Sequence, residues 1–275
     1  VILGFAFSYG AAVNASAAFN ARESFVVESA ADSAVAWAVA LLSADRAKDD
    51  VDTLDEEWAR DDLTVTVAGR AMSVRIIDED RCLNVNRAVA PPATDKDPDL
   101  RPALKRLVRN LGGADLDYDR LCRWMAPTNT AAGVRPLFIV DALAAVPEMD
   151  KGLLTERNGK PPITALLTAV AEHVNINTAK KEVLDALWDD AALSQNVITA
   201  RTQSPFRDTA QVEAYLARVM GAQAAGQAAM PVRVASDWFR IEARPIGGSG
   251  GVVVIVRRSD GGSQTRSARR ISEEE

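Results

Sequence analysis

The sequence predicts an α+β chain: one long N-terminal helix, two antiparallel hairpins far apart in the sequence, and a large all-α domain inserted between their strands. Three observations predict it. Residues 14–45 contain neither proline nor glycine and are rich in alanine. Polar and apolar residues alternate near 63–77 and again over 238–245, before the apolar run of 252–256, and the stretch between, from 88 to about 230, has helical periodicity and almost no alternation.

Bulk properties set the frame. With 275 residues, 48% apolar and 25% charged, the chain has an ordinary globular balance and can bury a sizeable core. Its net charge of −6 and pI near 5.1 disfavour a general electrostatic grip on a phosphate backbone.

Taken in order, VILGFAFSYGAAV (1–13) is apolar but shorter than the roughly 20 residues a spanning helix needs. It reads as a buried helix start or as the end of a longer membrane helix. From Asn14 to Asp45, Phe19, Phe25, Val26, Ala30, Val35, Val39 and Leu42 recur at helical steps. One helix of about 45 residues, near 70 Å long at about 1.5 Å per residue, should project in part from the body. The alternative is two helices broken near Asn20.

The helix gives way to the charged run SADRAKDDVDTLDEEWARDD. LTVTV (63–67), a short turn at Ala68, Gly69 and Arg70, and AMSVRII (71–77) form the first hairpin. WFRIEARP (238–245), the flexible GGSGG and VVVIVRRS (252–259) form the second. Between them LRPALKRLVRNL, YDRLCRWM, PLFIVDALAAV, ITALLTAVAEHV, AKKEVLDAL, LSQNVITAR and TAQVEAYLARVMG read as helices. The domains are therefore a helix over 1–47, sheet segments over 48–87 and 229–262, the inserted helical domain over 88–228, and a tail over 263–275 that lacks periodicity and reads as disordered.

No catalytic residue is assigned. The single histidine, His173, reads as the C-terminal residue of the helix ITALLTAVAEHV, and no nucleophile elbow accompanies it. Asp78, Glu79 and Asp80 are strand neighbours that point to opposite faces and do not converge. GGSGG lacks the Lys-Ser/Thr continuation of a phosphate loop. Arg257, Arg258, Arg266, Arg269 and Arg270 are diluted by Ser and acidic residues and read as a solvated face. Cys82 and Cys122 leave a disulfide and two separate thiols equally open.

Two aspartate runs, Asp95, Asp97, Asp99 and Asp115, Asp117, Asp119, have the opening spacing of a calcium loop. Neither continues as one. Leu100 and Arg120 stand where the turn glycine belongs, and Arg106 and Ala126 where the bidentate glutamate belongs, so the runs read as helix-start caps.

Asn-x-Asn occurs twice, in CLNVNRA (82–88) and HVNINTAKKEVLDAL (173–187). Both read as short extended segments whose Asn side chains satisfy backbone groups, with Asn177 or Thr178 capping the helix that buries Val183, Leu184, Leu187 and Trp188.

Taken together, the alanine-rich helix ending in ALLSAD, then DTLDEEWA, VRIIDEDRCLNVNRA, FIVDALAAVPEM, VNINTAKKEVLDAL, SPF, SDWFRIEARPIGG and VVVIVRRSDGG resemble the minor pseudopilin K family of bacterial type II secretion. The resemblance covers nearly the whole chain. It implies a pilin-like fold, with the long helix packed on a small antiparallel sheet, and a non-enzymatic protein at the pseudopilus tip. It further implies an inner-membrane anchor in the N-terminal helix and a body in the periplasm, with the minor pseudopilins I and J, the pseudopilus and the secretion machinery as partners. The bulky insert would block addition of further subunits. Phe5, Phe7, Phe19 and Phe25 would anchor partner helices, and alanines and serines between 11 and 34 would allow close approach.

The oxidising compartment so implied favours a Cys82–Cys122 disulfide. No cofactor is required. Calcium is possible through the resemblance, but WMAPTNTAAG (124–133) replaces the family's acidic run and no calcium motif is complete.

VNINTAKKEVLDAL followed by VITARTQSPF is also similar to helix-hairpin-helix modules of DNA-binding proteins such as the competence receptor family. Those modules place glycines against a phosphate. Here WDDAALS stands at that position, with Asp189 and Asp190, so nucleic acid is not expected as a partner.

Overall fold

The computed structural model describes residues 2–94, 97–125, 136–259 and 262–271, with the backbone alone over 2–12 and 259–271. It divides into two compact units, one formed by Val1–Asp45, Glu57–Ile77 and Arg240–Glu275, the other by Arg46–Glu56 and Asp78–Phe239.

In the first unit, helix α1 runs unbroken over Ile2–Arg46, so there is no break near Asn20. Its composition allows this: 45 residues with alanine abundant and no proline. Ala30, Ala31, Ala34, Ala38 and Leu42 are buried. Ala30, Ala34, Ala38 and Leu42 fall at steps of four and Ala31 three before Ala34, so they form one stripe along the helix.

Strands β1 (Thr64–Val67) and β2 (Arg70–Asp78) are the first hairpin, antiparallel with Val67 opposite Arg70. The two loop residues, Ala68 at φ 49° and Gly69 at φ 80°, are both left-handed. A type I′ turn requires this, and its twist matches the strands it joins. Met72, Val74 and Ile76 are buried on one face of β2, as the alternation predicts.

The insert begins at the end of β2. Its elements are β3 (Leu83–Asn84), α2 (Val85–Val89), α3 (Arg101–Asn110), α4 (Asp115–Met125), β4 (Leu167–Thr168), β5 (Val174–Asn175), α5 (Lys181–Trp188), α6 (Ala191–Gln203), α7 (Thr209–Met220), α8 (Ala222–Ala229) and β6 (Val232–Arg233). β3 pairs with β4 and β5 with β6, each in a two-residue parallel ladder, so the insert is helical but not all-α.

Two expected helices are absent. PLFIVDALAAV yields only a 3₁₀ turn, Val140–Ala145, and ITALLTAVAEHV only Ile163–Ala165 before β4. There Leu83 N–H donates to the Leu166 carbonyl and Leu83 and Asn84 pair with Leu167 and Thr168. Tertiary pairing overrides the helical propensity of Leu and Ala.

Past the insert, β7 (Trp238–Pro245) and β8 (Gly251–Ser259) complete the second hairpin, and β9 (Gly262–Ile271) adds to β8. The five-stranded order is β1-β2-β7-β8-β9. Gly251 is required where it stands, because a Cβ there would lie 2.5 Å from the Ala243 carbonyl. The tail is not disordered over 262–271: it pairs with β8 from Gly251↔Ile271 to Ser259↔Gly262. Its polar composition hides the strand, since β8 supplies the hydrogen-bonding edge that would otherwise stay open.

Candidate assembly surface

The first unit carries an exposed helical surface. Every residue from 13 to 22 on α1 is exposed, and Phe19 and Phe25 are 62% and 69% exposed. Large aromatic side chains left in water at this level are unusual, and isolated burial within this chain does not account for them. Six residues apart, they differ by about 120° around the helix and about 9 Å along it. They mark two flanks rather than one stripe.

The small residues expected beside them divide in two. Those from Ala15 to Ala18, with Ala21, Ser24 and Ser29, are exposed, whereas Ala30, Ala31 and Ala34 are buried and unavailable to a partner. Ser33 and Ser43 turn their hydroxyls back onto the Ser29 and Val39 carbonyls, both at 2.9 Å, so they present little polar surface. Phe5 and Phe7 belong to α1, but their side chains lie outside the described residues. By length and composition the Val13–Arg46 part of the helix, with a window of mean hydropathy 1.6, could cross a membrane.

Above the exposed turns, a groove of about 600 Å³ lies between α1 and the loop after β7, lined by Glu23, Val27, Arg70 and Ile246 among others. Arg70 pairs with Glu23 across its edge. Ile246, 55% exposed, was not legible in the sequence because GGSGG marks only a flexible turn.

The Asn-x-Asn runs are architecture. Asn175 Nδ2 donates to the Asp52 carbonyl at 3.1 Å and to Ser236 Oγ at 2.8 Å. Asn177 forms a two-way amide clamp on Phe206, donating to its carbonyl at 2.9 Å and accepting from its N–H at 3.0 Å. Asn86 clamps Leu137 in the same way and also donates to the Ala169 carbonyl. Asn84 caps α2 by accepting from Arg87 N–H and donates to the Ala171 carbonyl.

Neither Asn177 nor Thr178 caps α5. The cap is Lys180, without a side-chain bond, and Thr178 instead donates to Asp78 at 2.5 Å. Val183, Leu184 and Ala186 are buried by α5, while Leu187 and Trp188 are only half-buried.

The α5–α6 hairpin is closed to phosphate. Asp189 takes the left-handed C-cap conformation at φ 56°, and the Asp190 carboxylate accepts from Ala192 and Leu193 N–H at 2.9 and 2.8 Å. The amides that open α6 are thus already covered by a negative charge.

His173 ends no helix. It lies in the turn before β5, where burial lowers its pKa, assisted by the nearby Arg233 and Arg87 charges. Asp78 and Asp80 do converge, because the strand ends at Asp78 and the chain turns there, with Asp80 N–H donating to Asp78 Oδ1 at 2.8 Å; both carboxylates meet polar groups of the insert. Arg258 is 4% exposed and not part of a solvated face. Cys82 and Cys122 are both thiols, contrary to the expected disulfide. Cys82 is buried near the Ala165 carbonyl, 3.7 Å away, and Cys122, its pKa raised by burial, bonds Tyr118.

Asp97, Asp99, Asp115 and Asp117 of the two runs bond groups of the protein itself. Asp97 accepts from Thr94 N–H and hydroxyl, Asp99 pairs with Arg101, and Asp115 pairs with Lys105 and Arg109. Asp117, 3% exposed, accepts from Ala114 and Asp150 N–H and from Arg120. Among the described residues neither run gathers three carboxylates around one point. Asp95 and residues 126–133 of WMAPTNTAAG lie outside the described residues.

Comparison with known proteins agrees with the resemblance. Residues 174–232 match the family described as type II secretion system protein K. A solved chain from the GspK-GspI-GspJ complex of the enterotoxigenic Escherichia coli type 2 secretion system superposes with a TM-score of 0.69 at 19% identity, covering 94% of this chain and 98% of that one. The fold is therefore shared over almost the whole length. No curated protein matches the chain.

Proposed function

We propose that this chain is a minor pseudopilin of a type II secretion system, acting at the tip of the pseudopilus. There it joins the minor pseudopilins I and J, initiates or caps the filament and supports protein export across the outer membrane. It performs no catalysis and requires no cofactor. The N-terminal helix anchors it in the inner membrane and the body stands in the periplasm.

The observation that carries this reading is the run of exposed residues on α1 with Phe19 and Phe25 on separate flanks. Two aromatic anchors on two flanks give room for two neighbouring helices, which small residues between them let come close. The protein K match over 174–232 and the shared fold support the same assignment. The covered amides of α6 speak against a nucleic-acid module.

Co-purification of the tagged chain from a cell envelope containing pseudopilins I and J tests it. Recovery of both as a stoichiometric complex is expected. Recovery of neither, from a chain shown to be folded by circular dichroism, would remove the basis for the assignment.

A further inference from the structure

We propose that the root of the insert is a proton-dependent latch, in which Asp78 and Asp80 hold the insert's two ends together and loosen them when both are ionised. The proposal stands on groups within the second unit and is independent of any secretion role.

The geometry comes first. Asp78, where the chain enters the insert, is 1% exposed, and Asp80 is 4% exposed. Ser236 and Trp238, where the chain leaves it, bond directly to these two carboxylates. Ser236 Oγ donates to Asp78 Oδ2 at 2.7 Å, and Asp80 Oδ2 accepts from Asp237 and Trp238 N–H at 3.0 and 2.7 Å. Thr178 Oγ1 donates to Asp78 Oδ2 at 2.5 Å, and Asp80 N–H to Asp78 Oδ1 at 2.8 Å. Asp52 Oδ2 accepts from Ser236 N–H at 2.7 Å and the Asp80 carbonyl from Asn175 N–H at 2.7 Å. Both chain ends and the Asn-x-Asn segment thus meet at one buried carboxylate pair.

The charges around the pair are of the wrong sign to neutralise it. Asp52 acts on Asp78, and Asp237 acts on Asp80, both unfavourably for ionisation. Glu79, between them in sequence, accepts from Thr168 Oγ1. Of the nearby cations, Arg81 acts on Arg201, and Arg233 and Arg87 act on His173, as do Glu172 and Asp237. Among the described residues no arginine or lysine charge acts on Asp78 or Asp80 to any marked extent. Two carboxylates taken out of water beside each other cannot both ionise without cost.

Burial accordingly pushes Asp78 up to about 6, against the hydroxyls that favour its charge, and pushes Asp80 well above the usual carboxylate range, with the Asp78 charge adding to the effect. The folded chain therefore binds protons that the unfolded chain releases near 4. The contribution to stability is complete below the unfolded value and is lost as pH rises through about 6, in the direction opposite to that of a salt-bridged aspartate. Asp78 alone changes the unfolding constant by roughly 100-fold across that window.

Urea unfolding of the intact chain between about pH 5 and pH 7.5 tests the latch. The wild-type midpoint should fall with rising pH, and Asp80→Asn, which keeps an acceptor for the two amides, should flatten that fall. Because the variant could perturb folding, the wild-type Asp78 carboxyl carbon is also followed by NMR and should titrate near 6. A midpoint that is constant or rises over this range, or an Asp78 carboxyl that titrates near 4, would overturn the proposal.

Discussion

Arg258, on β8, donates to the Leu42 carbonyl at 3.4 Å and lies 3.7 Å from the Asp45 carboxylate, so one buried guanidinium ties the sheet to the last turns of α1. The position suits a cation, because the carbonyl end of a helix carries partial negative charge. It follows Val252, Val254 and Val256 on the buried side of β8, where an apolar residue would be the default.

Replacing Arg258 by Met should cost about 2 kcal/mol. That is less than the loss on breaking a fully buried pair, because the Asp45 side chain stays 18% exposed and can rehydrate. Urea unfolding of the two proteins would measure it, and a change within experimental error would assign Arg258 no anchoring role.

Under the proposed function, Phe19→Asp and Phe25→Asp should weaken association with pseudopilins I and J by roughly 10-fold or more each, with unfolding unchanged, since both rings are already in water. The measurement is titration of the variants against the purified partners. Because the rings sit on different flanks, the double variant should lose more than either single one.

Asn177→Ala removes both halves of the clamp on Phe206, leaving a buried N–H and carbonyl without their partner. A loss of about 2 to 4 kcal/mol is expected, measured by urea unfolding. Phe206, which packs edge-on against Tyr215 with ring centroids 5.5 Å apart, should show it as a change in near-ultraviolet circular dichroism.

Ala68→Asn should raise stability by about 0.5 kcal/mol, because Ala68 holds φ 49° in a type I′ turn where Asn is tolerated better than Ala. Thermal melting would register this as a small increase. A decrease would mean that the turn is held by something other than its local conformational preference.

Alkylation of the unfolded chain without reductant should label both Cys82 and Cys122, as the two thiols require. In the folded protein Cys122 should react slowly near neutral pH, since burial raises its pKa and lowers the thiolate fraction. Intact mass reads both results.

Much of the framework was already legible in the residues. The long α1 follows from composition, although a break near Asn20 stayed open, and the hairpins follow from alternation, as at Met72, Val74 and Ile76, and from the apolar run VVVIV between turn residues. α3 to α7 fall on LRPALKRLVRNL, YDRLCRWM, AKKEVLDAL, LSQNVITAR and TAQVEAYLARVMG, which read as helices from their residues, whereas Asp190 and Asp208 as the caps of α6 and α7 came from the structure. Such signals are local: each depends on residues within a few positions of one another.

What the sequence by itself determined was therefore the long helix, the hairpins and the helical insert, because backbone preference and side-chain periodicity act over short distances. Only the tertiary structure decided that ITALLTAVAEHV breaks into a turn and a paired strand, that 262–271 joins the sheet, and that the two cysteines stay apart. It alone placed Arg258 against α1 and gathered Asp78 and Asp80 with Ser236. Those outcomes depend on hydrogen-bonding edges and charges supplied by segments more than a hundred residues away in several cases, which no local pattern records.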